Sequence, residues 1–234
     1  MKRFYKDVSI APAEGGFCVL LDGKPIKTPA RNALLLPTEA LAGAIAAEWQ
    51  NQGDEVIATT MPLLRLANTV VDGVAVNRAD VIAAILRFGE NDLLCYRAHQ
   101  PPALAARQRE GWDPLLTWVR QRHGAQMRVA EGVGHVDQTP DALLALRQAL
   151  EEEGPFTLGA LHVIASITGS AVLALAVTAG FITGENAFAL SRIDEIYQAE
   201  KWGEDAEAAR RAAALAHELD KAVELMTALR QESN

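Results

Sequence analysis

The stretch Ser191-Arg-Ile-Asp-Glu-Ile-Tyr-Gln-Ala-Glu-Lys-Trp-Gly-Glu-Asp205 is strongly acidic, and it follows the most apolar part of the chain, residues 156–184. The apolar run contains no Asp, Glu, Lys or Arg. Counted from Glu185 to Glu207, the acidic region holds seven carboxylates and two cations, a net charge of −5. An uncharged run followed by a charged one predicts a buried helix that carries a surface helix. The C-terminal part of the chain is therefore predicted to be helical around a buried centre.

The apolar run also raises the alternative of a membrane-associated subunit. Residues 158–179 number 22, and about 20 apolar residues are enough to cross a bilayer. However, polar residues such as His162 interrupt the run, and its flanks are acidic, without the cations that anchor a span. We interpret the run as a buried helix, or as two short helices separated near Gly169, and keep the membrane span as the alternative.

The first sixty residues are typical of a β-rich unit. Residues 16–21 predict a strand, and Asp22-Gly23 predicts a two-residue turn, because Gly accepts the positive φ of a type I′ hairpin. Residues 24–28 predict the return strand and residues 34–36 a third. Thr38 then predicts the start of a helix, because its hydroxyl can cap the first free N–H groups.

After Pro62, apolar residues recur mostly at helical spacing. The predicted helices include residues 103–110, 112–122, a segment that starts at Thr139, and a last helix whose apolar stripe runs from Ala208 to Leu229. The predicted fold class is α+β, with a small β-rich N-terminal domain (residues 1–62) followed by a larger all-helical C-terminal domain (residues 63–234).

Charge and cysteine content narrow the classes of function. The net charge of −8 argues against a general nucleic-acid binder, which needs a surplus of Lys and Arg. The charge is uneven, because residues 1–31 carry +3 and the remainder −11. Cys18 and Cys95 lie among apolar neighbours and predict small core residues of a reduced compartment. The start of the chain lacks the apolar region of a signal peptide, so we expect a cytoplasmic protein.

The common signatures of catalysis are absent from the sequence. No Gly-rich phosphate loop, no His-x-x-x-His pair and no Gly-x-Ser-x-Gly elbow occurs. We therefore predict no catalytic residue, no cofactor, no metal and no small-molecule substrate. The alternative is a small carboxylate-dependent hydrolase or lyase that uses acids near Asp92 or Glu195. Two carboxylates of unequal environment in a deep pocket would support that alternative.

The acidic segment is either a solvated helix face or a surface that binds a partner protein. Tyr197 and Trp202 lie among its acids, and an exposed aromatic inside a polar rim is the usual anchor of an interface. If both aromatics are instead buried, only the acids meet the partner. The predicted partner-binding residues are Asp194, Glu195, Tyr197, Glu200, Trp202, Glu204, Asp205 and Glu207.

Short motifs along nearly the whole chain resemble those of one family, the assembly chaperones of the F-type ATP synthase. In the N-terminal part they are Arg3-Phe-Tyr-Lys6, Leu21-Asp-Gly-Lys-Pro-Ile-Lys-Thr-Pro29, Leu36-Pro-Thr38, Ala47-Glu-Trp49 with Gln52, Met61-Pro62, and Asn68-Thr69 with Asp72. Farther on they are Asp92-Leu-Leu-Cys-Tyr-Arg97, Gln108 with Trp112-Asp-Pro-Leu-Leu116, Gly169-Ser170, and Glu195-Ile-Tyr-Gln198 with Trp202-Gly-Glu-Asp205. No single motif is diagnostic, but their order along the chain is specific.

The resemblance implies a chaperone rather than an enzyme. The members that this chain resembles bind the free α subunit of the catalytic head until the β subunit replaces them. They are known in mitochondria and in α-proteobacteria, and they have a β-rich N-terminal domain and a helical C-terminal one. Because the chain begins almost at the shared Arg3-Phe-Tyr-Lys6 motif, without a transit peptide, we expect a bacterial cytoplasmic member.

Overall fold

The computed structural model describes residues 1–132 and 134–231. Its strands are β1 (Val8–Ala13), β2 (Gly16–Leu21), β3 (Lys24–Pro25), β4 (Tyr96–Arg97) and β5 (Ala130–Glu131). Its α-helices are α1 (Glu39–Gln50), α2 (Pro62–Thr69), α3 (Arg78–Glu90), α4 (Pro102–His123), α5 (Pro140–Glu151), α6 (Pro155–Thr168), α7 (Ala171–Thr178), α8 (Gly184–Ser191), α9 (Ile193–Trp202) and α10 (Ala206–Arg230). The predicted α+β class is confirmed, since a small antiparallel sheet precedes a larger helical region that also holds the short β4–β5 pair.

The N-terminal sheet has the strand order β1–β2–β3, and both pairs are antiparallel. The predicted hairpin is confirmed, because Asp22 and Gly23 have φ values of 48° and 75°, both positive as a type I′ turn requires. The return strand is shorter than predicted, although one further backbone hydrogen bond, from the Ile26 N–H to the Val19 carbonyl at 3.0 Å, follows it. The predicted third strand is only an isolated bridge between Leu36 and Phe17, and β1 has no counterpart among the predicted strands.

Helix α1 begins where the sequence predicts and packs against β1 and β2. The Thr38 hydroxyl accepts a hydrogen bond from the Leu41 N–H at 3.2 Å, which satisfies one of the free donors of the first turn. Leu41 and Ile45, one turn apart, are fully buried. The apolar stripe of this helix and the inner face of the sheet therefore form the core of the N-terminal region.

The described residues group into two compact units. The first contains Met1–Arg78, Pro155–Ala160 and the segment that begins at Lys221. The second contains Ala79–Gly154 and Leu161–Asp220. Helices α6 and α10 thus have residues in both groups. The division into domains after residue 62 stays a prediction.

The apolar run forms two helices, as one of the two interpretations predicts. Helix α6 ends at Thr168 and is followed by its cap residue Gly169, whose φ of 68° suits a residue without Cβ. Ser170 then caps α7 by accepting the Leu173 N–H at 2.9 Å. Every residue from Ala171 to Val177 is buried. Within the described residues, no helix combines the length and hydropathy that a membrane span requires.

Helix α4 is one continuous helix, whereas the sequence predicts two. Gly111 and Pro114 both lie in its interior. Pro114 removes one backbone hydrogen bond, but buried side chains on both sides of it, Trp112 and Leu115, hold the helix in one piece. Gly111 is needed for packing rather than for a break, because a Cβ there would lie 2.7 Å from Leu190 Cδ2.

Candidate functional site

The acidic segment forms α9 and the start of α10, and polar contacts fasten α9 to α4. Gln108 Nε2 donates to Asp194 Oδ1 at 2.6 Å. Arg107 holds Glu200 through two contacts of 2.9 and 2.7 Å. The hydrogen bond to Arg107 lowers the pKa of Glu200. Two of the predicted contact acids therefore have partners within the protein, and they position the helix.

Gln108 also connects α9 to the buried Arg97. The Gln108 side-chain oxygen accepts from the Ala98 N–H at 2.7 Å, and its backbone carbonyl accepts from Arg97 Nη1 at 2.9 Å. Arg97 in turn lies 2.8 Å from a carboxylate oxygen of Asp113. The network provides partners for the buried guanidinium of Arg97. A charge that is removed from water is stable only when it has such partners. It also fixes the side of α9 that faces α4.

Tyr197 lies on the same side of α9 and is buried, with 7% of its surface exposed. The Arg107 guanidinium carbon is 5.3 Å from the centre of the ring, and Lys201 Nζ is 5.5 Å from it. Both distances are within the range of cation–π contacts. Of the two predicted aromatics, Tyr197 is thus a core residue that joins α9 to α4.

Trp202, the second predicted aromatic, is 79% exposed and sits at the end of α9. It borders a groove of about 370 Å³ between α9 and α10. Ile196, also on this side, is 42% exposed. The residues around the groove are Arg192, Glu195, Ile196, Gln198, Ala199, Trp202, Gly203, Glu204, Asp205, Ala208, Ala209 and Ala212. An exposed indole beside small apolar residues is a surface that can bind a complementary apolar side chain.

Three of the four remaining predicted acids, Glu195, Glu204 and Asp205, line this groove. Glu195 lies 3.6 Å from Arg192, and Glu207 pairs with Arg211 at 3.5 Å along the exposed side of α10. Asp205 caps α10, since its Oδ1 accepts the Glu207 N–H at 2.9 Å. Glu204 is exposed. The groove therefore has an apolar floor and a mainly acidic rim.

The floor of the groove is the part of this surface that the sequence does not identify. Ala208 and Ala212 are predicted to belong to the buried stripe of the last helix, yet both are only half-buried. The buried members of the stripe are Leu219, Ala222 and Met226, farther along the helix. One sequence signal could have identified part of the floor. Ile196 and Ala199 are three residues apart on α9, which places them on one side of that helix.

The alternative of a carboxylate enzyme centred on Asp92 receives no support from the geometry. Asp92 is fully buried, and its two oxygens accept the N–H groups of Leu94 and Val172 at 3.1 Å each. Burial raises the pKa of Asp92 to about 6, against the lowering effect of these donors and of Ser170. Burial is the largest cause of that shift. Asp92 thus caps the buried helix α7 and has no access to a substrate.

Glu195, the other acid of that alternative, lies on the open rim of the groove described above. Among residues 1–132 and 134–231, no three His, Cys, Asp or Glu side chains come together in an arrangement that could hold a metal ion.

Comparisons with known proteins agree with this fold. Residues 2–120, just over half of the chain, match the family model of the ATP12 chaperone protein. The crystal structure of Atp12 from Paracoccus denitrificans is 44% identical, with a TM-score of 0.94 and 98% of each chain covered. A protein of Agrobacterium tumefaciens is 46% identical, with a TM-score of 0.94, over 98% of this chain and 86% of that one.

A more distant relative extends the match to eukaryotes. The mitochondrial protein atp12 of Schizosaccharomyces pombe is 25% identical over 215 residues, which cover 86% of this chain and 74% of the relative. The bacterial structures match nearly the entire chain at high identity, and the family model matches its N-terminal half. The chain therefore belongs to the ATP12 chaperone protein family, the family of ATP synthase assembly chaperones that its sequence resembles.

Proposed function

We propose that this protein is a chaperone for the assembly of the F-type ATP synthase, that it binds the free α subunit of the catalytic head, and that it is not an enzyme. Membership of the ATP12 chaperone family supports the general role. The resemblance of its motifs to chaperones of the α subunit supports the choice of partner. The observation that supports the location of the binding surface is the exposed Trp202 beside an acid-rimmed groove.

Such a role has a physical rationale. A ring subunit that is made before its neighbours exposes apolar interfaces, which promote aggregation. A protein that covers such an interface prevents self-association. It must later give way to the true neighbour, so its own interface should be of moderate strength and partly polar. A groove with an apolar floor and a charged rim meets both requirements.

We propose that the contact surface consists of the groove between α9 and α10. Trp202 is the central apolar anchor, and Glu195, Glu204 and Asp205 supply the rim. Glu207 adds negative charge from the exposed side of α10. Asp194, Tyr197 and Glu200 contribute indirectly, because their contacts with α4 keep α9 in place.

The partner is tested by a pull-down of purified α subunit with the tagged protein. We expect a stoichiometric complex and no turnover of the α subunit. The proposal is wrong if no complex forms while both proteins are soluble and give the circular dichroism spectra of folded chains.

The surface is tested with Trp202→Ala. Removing a central aromatic anchor typically costs about 2 kcal/mol or more, so we expect the complex to weaken by roughly 30-fold. Phe4→Ala is the matched control, because Phe4 is an aromatic side chain that is 61% exposed in the other compact unit. Equal affinities of the two variants for the α subunit would show that the contact does not lie at the groove.

We also place the protein in the bacterial cytoplasm. The support is its likeness to proteins of Paracoccus denitrificans and Agrobacterium tumefaciens at 44% and 46% identity. Fractionation of cells that express the natural gene, with detection by antibody, tests this location.

A further inference from the structure

A turn in the N-terminal unit, residues 28–32, is exposed at its tip yet held in one conformation; we name it the arginine turn. The Asp72 carboxylate accepts three hydrogen bonds from it. Thr28 Oγ1 donates at 2.6 Å, Asn32 Nδ2 at 2.8 Å and the Ala30 N–H at 3.1 Å. These contacts involve both ends and the middle of the turn, so its backbone has little freedom to rearrange.

Arg31, which gives the turn its name, has a left-handed backbone with φ of 69°. Most residues with a Cβ are disfavoured in this region. Gly adopts it freely, and Asn adopts it more often than other side chains do. The Arg31 N–H donates to the Thr28 carbonyl at 2.8 Å, which closes the turn around the strained residue. Strain that the surroundings maintain at an exposed position points to a functional use of the side chain.

The surface around Arg31 is cationic. Arg31 and Lys27 are exposed, and neither forms an ion pair with any residue that the structure describes. An unpaired guanidinium on a rigid turn is pre-organised to bind a carboxylate through two hydrogen bonds.

We propose that the arginine turn binds a carboxylate in an acidic segment of the client protein. This inference rests on the proposed function, because it adds a second contact with the same client. The net charge of −8 argues against a nucleic acid, whose many phosphates need a surplus of Lys and Arg, whereas one carboxylate needs a single exposed cation.

The test is Arg31→Gly in the full-length protein. Glycine relieves the left-handed strain and removes the guanidinium, so stability and binding should change in opposite directions. We expect the melting temperature to rise by about 2–4 °C. We expect affinity for purified α subunit to fall about tenfold, with a weaker dependence on salt, as loss of one charge-assisted contact implies. Arg65→Ala, which removes an exposed cation from the same unit, should leave affinity within about twofold.

The outcomes distinguish a failure of the proposed function from a failure of the proposed role of the arginine turn. If the unmodified protein forms no complex with the α subunit, the proposed function fails. If the unmodified protein binds but Arg31→Gly binds equally well, the arginine turn is only a structural turn and the inference fails. Arg31→Ala keeps the strain and removes the charge, so it should lose affinity without gaining stability. If a short DNA duplex binds the unmodified protein better than Arg31→Gly, the partner is nucleic acid and the inference is also wrong.

Discussion

At the scale of single residues, several motif residues turn out to hold helix ends. The carboxylate of Glu48 accepts the N–H groups of Leu63 and Leu64 at 2.8 Å each, which caps α2 from another helix. The residue that precedes α2 supplies no cap of its own. Asp92 does the same for α7 with the Val172 N–H. These acids satisfy the free donors that every helix start presents, and they lie near its positive end.

The buried carboxyl group of Asp92 should make the stability of the protein depend on pH. Its folded pKa of about 6 lies above its ordinary value of 3.8, so the protonated form is favoured by folding. The corresponding stability is present below about pH 4 and is lost as pH rises through about 6. Between pH 5.5 and 7.5 we expect the free energy of unfolding of the natural protein to fall by about 1 kcal/mol relative to Asp92→Asn.

Urea denaturation of both proteins at the two pH values measures this difference. Asp92→Asn should be less stable throughout, because its amide N–H₂ cannot accept one of the two backbone donors. A constant difference between the two proteins across this pH range would show that Asp92 does not titrate there.

At the scale of elements, close helix packing depends on glycines placed inside helices. Gly159 in α6 faces Val70, and a Cβ added at Gly159 would lie 2.5 Å from Val70 Cγ2. Val70 starts a π-helix, Val70–Val74, that follows α2 directly and carries Asp72. A β-branched side chain has few rotamers with which to avoid such a contact. The glycine therefore sets how near α6 comes to this π-helix.

We expect Gly159→Ala to destabilise the protein by about 1–3 kcal/mol, because the clash exceeds the roughly 1 kcal/mol that Ala gains in helix propensity. Gly43→Ala is the matched control. Gly43 lies inside α1 with nothing within 4 Å of an added Cβ, so there we expect a gain of about 0.5–1 kcal/mol.

Denaturant unfolding measures both variants. In a Val70→Ala background, Gly159→Ala should cost nothing or stabilise, since the methyl group that it meets is gone. An equal loss in both backgrounds would assign the effect to something other than this contact.

At the scale of the whole molecule, charge is distributed unevenly. The N-terminal 31 residues carry +3 and the remainder −11. A local acidic rim and a general negative charge both attract a basic partner, but they respond differently to mutation. If the partner binds at the groove, the position of an acid should matter more for affinity than the total charge of the protein.

Glu204→Lys and Glu14→Lys separate these effects, because each changes the net charge by the same amount. Glu204 borders the groove, whereas Glu14 is exposed in the turn between β1 and β2. We expect Glu204→Lys to weaken the complex with the α subunit about tenfold, with an unchanged circular dichroism spectrum, and Glu14→Lys to change it less than twofold. Equal losses at low salt would mean that net charge alone governs binding.

The sequence by itself determined the features whose cause lies within a few residues. Thr38 and Thr139 cap helices where expected, because a hydroxyl acts on an N–H three residues ahead. The Asp22-Gly23 hairpin follows from the backbone freedom that those residue types have. The family motifs also identified the type of protein, since their order along the chain is specific.

Only the tertiary structure decided which surfaces are covered. Asp194 meets Gln108 across 86 positions of the chain, and nothing near either residue indicates that pairing. The same packing buries Tyr197 and leaves Trp202 exposed, although both are aromatics of one acidic helix. The continuity of α4 through Pro114 likewise depends on neighbours distant in sequence. Local signals define where helices begin and end, whereas the choice of buried face depends on which distant element packs against it.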